Sequence, residues 1–153
     1  IKWVTMADIK VVACLDDNQQ RELILGKEPE FKTEYKTVNS KAKENESLYF
    51  VKYKFKCGKR KEGFDLFSTL TEEMDKNDSG KCTSYGRWHV PSQGCGCAIA
   101  SSPSVLDMYK WAFNWDSLCD CEIIPVTEDV ETRNIIKSKP DFSVKHKKLM
   151  NVD

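Results

Sequence analysis

Seven cysteines, Cys14, Cys57, Cys82, Cys95, Cys97, Cys119 and Cys121, are the residues whose type and spacing most directly suggest chemistry. Three kinds of chemistry fit them. The first is oxidative pairing, which staples domains outside the reducing cytosol. Cys57, Cys82, Cys95, Cys97, Cys119 and Cys121 are then the disulfide candidates, and spacing alone does not select among their pairings. A bond within Cys95-Gly96-Cys97 or within Cys119-Asp120-Cys121 would close a strained ring. The two Cys-x-Cys pairs are therefore expected to bond to each other, and Cys57 to Cys82. Cys14 lies in the apolar run Val11–Leu15 and reads as a free thiol or the source of an intermolecular bridge.

The second chemistry is metal binding. Cys95, Cys97, Cys119 and Cys121 supply four thiolates, enough for tetrahedral zinc, with Cys82 and His89 in reserve. The spacing speaks against it, because zinc half-sites usually place about two to four residues between cysteines. The third is nucleophilic catalysis by Cys95 or Cys97 with His89 as base. No triad signature accompanies these residues, and neither His89 nor His146 has a partner legible in the sequence. Asp75-Lys76-Asn77-Asp78-Ser79-Gly80 carries the first half of a calcium loop, but Gly86 stands where the closing glutamate belongs. Phosphate-loop, dinucleotide, zinc-protease and nucleophile-elbow motifs are absent.

Asn45-Glu46-Ser47 and Asn77-Asp78-Ser79 are N-glycosylation sequons, expected in surface loops. Lys52, Lys54, Lys56, Lys59, Arg60 and Lys61 form a basic patch that is either a polyanion site or a solvated strand face. The 24 basic and 24 acidic residues cancel, which argues against a dedicated nucleic-acid binder. They are unevenly placed: residues 27–61 hold eleven basic and five acidic side chains, and residues 62–131 hold four and thirteen. Such asymmetry can steer a partner or a second copy. The chain opens at Ile1, as a processed chain or a piece of a longer one would.

Hydropathy patterning gives the secondary structure around these residues. Short strands are expected over 2–5, 9–15 and 22–25, with Asp16-Asp17-Asn18 as a turn. Period-two alternation predicts a hairpin of strands over 31–37 and 49–57, each with one buried face. A strand over 63–70, an acidic loop over 71–81, a strand over 83–90 and a Gly/Cys loop over 91–97 follow. One helix is predicted near 103–115, capped by Ser102 and opened by Pro103, with Val105, Leu106, Tyr109, Ala112 and Phe113 facing the sheet. Residues 121–127 read as an edge strand because of Pro125. Trp3, Trp88, Trp111 and Trp115 read as core or partly buried side chains.

The expected fold is mainly β with a minor α+β character: an antiparallel sandwich or curled sheet with one helix. Residues 1–127 form one β-rich domain, and 128–153 a peripheral arm or tail of it. No apolar run reaches the roughly 20 residues of a membrane span. The leading functional reading is a secreted, disulfide-stabilised, non-enzymatic binding protein with a protein or glycan partner and no cofactor. The alternative is an intracellular zinc-stabilised interaction module of viral or regulatory type. The third is a small thiol-dependent or hydrolytic enzyme.

Overall fold

The computed structural model describes residues 10–30 and 42–138. The expected strands over 2–5 and 31–37, Trp3, and the tail beyond 138 with His146 lie outside these residues. The strand expected over 49–57 is paired on both edges, with 95–102 and with 119–126, which leaves no edge for the expected hairpin with 31–37.

Alternation builds the sheet. In β2 (Ser47–Phe55), Tyr49, Val51, Tyr53 and Phe55 share one face, and Leu48, Phe50, Lys52 and Lys54 share the other. Around it lie β1 (Leu15–Asp16), β3 (Thr83–Val90), β4 (Cys95–Ser102) and β5 (Cys119–Val126). They form one antiparallel sheet in the order β1-β3-β4-β2-β5. The expected antiparallel fold with a helix near 103–115 is therefore present, and β5 is an edge strand that tolerates Pro125. From β2 onward the helices fall between β2 and β3 and between β4 and β5. With the strand order β3-β4-β2-β5, this is the split βαβ, ferredoxin-like topology. No helix among the described residues is long and apolar enough to cross a membrane.

Several segments read as strand, loop or arm are helices. The turn at Asp16-Asp17-Asn18 and the strand over 22–25 are instead α1 (Asp17–Ile24). A capping box starts it: Asp16 accepts from the Gln19 amide at 2.9 Å, and the Gln19 side chain accepts from the Asp16 amide at 3.1 Å. The strand over 9–15 shrinks to the short β1. The strand over 63–70 is α2 (Arg60–Thr69), whose buried residues Gly63 and Phe67 lie a helical turn apart. The acidic loop over 71–81 is α3 (Glu72–Ser79), capped by Thr71 and carrying acids in its first turn, where they favour the helix dipole. The loop over 91–97 ends at Gly94, so Cys95 and Cys97 stand in β4. The start of the polar arm is α5 (Asp129–Lys137).

Helix α4 (Val105–Asn114) is capped by Ser104, two residues later than expected. Its buried face is also different. Met108 is 0% and Trp111 8% exposed, whereas Leu106 is 58% and Phe113 71% exposed, with Val105 and Tyr109 also outward. Two apolar stripes compete on this helix, and the larger one wins through partners for its indoles. Trp111 and Trp115 each donate Nε1–H to Asp78 Oδ2 at 2.8 Å, and Asn114 donates to Asp78 as well. A buried indole N–H needs such a partner. Asp78 thus ties α3 to α4 over the core of Tyr49, Val51, Cys82, Ala98, Ala100, Met108 and Trp111.

Candidate functional site

Between the helices and the Tyr49–Phe55 face of the sheet lies an apolar cavity of about 80 Å³. Its walls are Val51, Phe55, Phe67, Ala98, Met108, Trp111, Ala112 and Trp115, with Cys119 and Cys121 at one side. Three polar side chains, Gln20, Tyr53 and His89, also line it. A small apolar pocket with a few converging polar groups is the usual form of a small-molecule site.

The polar groups form a chain. Tyr53 Oη lies 2.5 Å from His89 Nδ1, and His89 Nε2 lies 2.6 Å from Asp17 Oδ1. Arg87 holds the far side of Asp17 through Nε at 2.9 Å and Nη2 at 2.7 Å, and also pairs with Asp75 at 2.7 Å. Burial alone would raise the Asp17 carboxyl. The hydrogen bond to His89 and the charge and hydrogen bonds of Arg87 outweigh it and hold Asp17 below its ordinary value. An ionised Asp17 only accepts, so His89 Nε2 donates to it; in the neutral imidazole Nδ1 is then the acceptor for the Tyr53 hydroxyl. Burial is the main cause that pushes the Tyr53 phenol well above its usual range, helped by the nearby Cys119, Cys95 and Asp17 and opposed by a hydrogen bond from Gln20.

Each member is set by the fold. Tyr53, Gly96 and His89 are cross-strand partners on β2, β4 and β3. Tyr53 and His89 are two strands apart, roughly 9–10 Å at the backbone. They meet because Gly96 has no side chain. A Cβ there would lie 2.5 Å from Tyr53 Cε1 and 2.7 Å from its Oη, and would strike the Trp88 carbonyl. Phe67 of α2 covers His89, with ring centroids 4.9 Å apart, and His89 is 2% exposed. Gly63 lets α2 press directly on the Phe55 ring. Helix α1 brings Asp17 and Gln20. Gln20 is 1% exposed, and its Oε1 has no hydrogen-bond partner. Such an orphaned acceptor is rare in a folded interior.

The sequence-predicted residues are distributed otherwise. The register places Cys97 opposite Lys52 and Cys95 opposite Lys54, while Cys121 lies opposite Tyr53 and Cys119 opposite Phe55. The two Cys-x-Cys pairs therefore project from opposite faces of the sheet, with β2 between them. This overturns both the pairing of one with the other and the zinc tetrad of Cys95, Cys97, Cys119 and Cys121. Among the described residues no group of three or more His, Cys, Asp and Glu can hold a metal. Cys57 follows the C-terminal end of β2, while Cys82 precedes β3 beside its other end, so strand length separates them by about 25–30 Å. All seven cysteines are free thiols, and Cys14, expected as a free or intermolecularly bridging thiol, is exposed.

His89 faces the cavity, away from Cys95 and Cys97, so it is not their base. Burial pushes the Cys97 and Cys121 thiols up and Cys119 up to about 12, which keeps them protonated and poorly nucleophilic. The calcium half-motif lies within α3, with Asp75 on Arg87 and Asp78 on the indoles. The basic patch is mostly paired: Lys52 with Glu122, Lys56 with Asp116, Lys59 with Glu62 and Lys61 with Asp65. Arg60 donates to the Ser92 carbonyl. Sequence reasoning singled out His89 but missed Tyr53, Asp17 and Gln20. The Asp16–Gln19 capping box could have revealed the helix that carries the last two.

No curated protein and no solved structure matches the chain. A family described as a domain of unknown function, DUF3303, matches residues 47–140. The matched stretch holds Tyr53, His89 and the apolar walls of the cavity, whereas Asp17 and Gln20 come from the segment before it. Because the match spans more than half of the 153 residues, the chain belongs to the DUF3303 family.

Proposed function

We propose that the protein binds a small, largely apolar molecule carrying one polar group. The observation behind this reading is the apolar cavity whose polar lining consists of Tyr53, His89 and Gln20, with the Gln20 Oε1 acceptor unfilled. Aromatic walls suit a planar ring; the Tyr53 proton is committed to His89, so Tyr53 Oη and Gln20 Oε1 both act as acceptors and suit a ligand hydroxyl, including the enol form of a ketone, better than an anion. The test is an amide and indole NMR titration with the compact neutral ketone 2-indanone. The Trp111 and Trp115 indole N–H and Gln20 side-chain signals should shift together and saturate. Ala112→Phe, which fills the cavity, should abolish the response while leaving the spectrum folded. Shifts scattered over the surface, or none, would refute the reading.

A second reading, an extracellular glycoprotein with a protein or glycan partner, rests on the Asn45 sequon alone. Asn45 is exposed in a turn at φ 63°, whereas Asn77, expected in a loop, stands on helix α3. Intact mass of protein purified from its source tests it: carbohydrate on Asn45 or Asn77 supports it, and an unmodified mass removes it.

A further inference from the structure

We propose that the Tyr53–His89–Asp17 chain is a proton relay that tautomerises a small neutral carbonyl compound in the cavity, an inference that rests on the binding role above. The relay is complete in the structure: Tyr53 lines the cavity and hydrogen-bonds inward to His89 Nδ1 at 2.5 Å, and His89 Nε2 donates to Asp17 Oδ1 at 2.6 Å. At the outer end Arg87 fixes Asp17 from the opposite side.

The proton movements balance without any co-reactant. The α-C–H bond of the ketone breaks and its proton goes to Tyr53 Oη. In the same step the original Tyr53 proton moves to His89 Nδ1. The electron pair left on the α-carbon forms the C=C bond, and the carbonyl pair withdraws to oxygen. Tyr53 then protonates that oxygen and recovers its own proton from His89, giving the enol. Tyr53 stays neutral throughout, which suits a buried phenol. The transient imidazolium forms between Tyr53 and an ionised Asp17, which stabilises it. The enol hydroxyl is a new donor, and the unpartnered Gln20 Oε1 is an acceptor lining the same cavity. Tyr53 is the catalytic residue in this scheme; His89 and Asp17 act through it.

The experiment follows exchange of the α-protons of 2-indanone in D₂O by NMR, with binding measured in the same samples. Released enol takes up deuterium from solvent, so turnover registers as label. The full-length protein should accelerate exchange over buffer. Tyr53→Phe keeps the ring but removes a hydroxyl of the site, so it should bind 2-indanone more weakly and, at saturating 2-indanone, still lose at least about 100-fold in exchange rate. His89→Gln retains a hydrogen-bonding group but takes up no proton, and should likewise bind without exchanging. Exchange no faster than buffer while 2-indanone is bound, or equal rates in wild type and Tyr53→Phe, overturns the relay and leaves the binding role standing. Failure of 2-indanone to bind overturns the binding role, and the relay with it.

Discussion

Gly96→Ala tests the claim that one missing side chain lets Tyr53 reach His89. The new methyl would sit 2.5 Å from Tyr53 Cε1 and 2.7 Å from Oη, and also against the Trp88 carbonyl. The tyrosine can rotate away, but the carbonyl belongs to β3, which is paired to β4 along its length and cannot yield cheaply. Overpacking of this kind costs about 1–3 kcal/mol, and the lost Tyr53–His89 hydrogen bond adds about 0.5–1.5. A total of about 2–4 kcal/mol corresponds to a fall in Tm of about 5–15 °C for a chain of this size. The assay is thermal and urea unfolding of Gly96→Ala, Tyr53→Phe and the double variant. The downfield resonance of the Tyr53 hydroxyl proton reports the bond itself. Because Oη is one of the atoms struck, the double variant should be less destabilised than the sum of the singles. Wild-type stability in Gly96→Ala with the hydroxyl resonance intact would refute the reasoning.

Asp78→Ala leaves the Trp111 and Trp115 indoles without their acceptor and frees α3 from α4. It should cost about 2–4 kcal/mol in urea unfolding, since hydrogen bonds to a charged group are each worth about 1.5–3; a loss below half a unit on that scale would contradict it. Asp17 has a lowered folded-state value, so its contribution is fully present above the unfolded value of 3.8 and is lost as pH falls through the lower folded value. Asp17→Asn should therefore lower stability near neutrality by about 3 kcal/mol and flatten the acid limb of the stability–pH curve, unless the Arg87 and His89 contacts carry no energy. Alkylation by iodoacetamide at neutral pH, read by mass, should label exposed Cys14 and Cys57 first and leave buried Cys82 and Cys119 nearly untouched. Equal rates at all seven would show that the burial is wrong.

The features legible along the chain are local ones. Alternation over 49–57 predicted β2 and its two faces, two residues late at each end of Ser47–Phe55, because period two is a property of the strand alone. Pro125 marked an edge, and Ser102-Pro103 marked a helix start two residues early, because both act on their own backbone. The run 63–70 misled because Phe64, Leu66 and Phe67 fit both periods, and only packing of Gly63 and Phe67 against β2 and β3 selects the helix. Tertiary structure decided everything that depends on strand order. It put β2 between β4 and β5, which turned the two Cys-x-Cys pairs to opposite faces and dissolved a four-thiol site that looked complete in one dimension. It chose the Trp111 stripe of α4 through Asp78, a partner far away in sequence. It also gathered Asp17, Tyr53 and His89 from three distant segments across a glycine. No spacing rule encodes that meeting, because it depends on the register of two strand pairs and on the absence of a single Cβ between them.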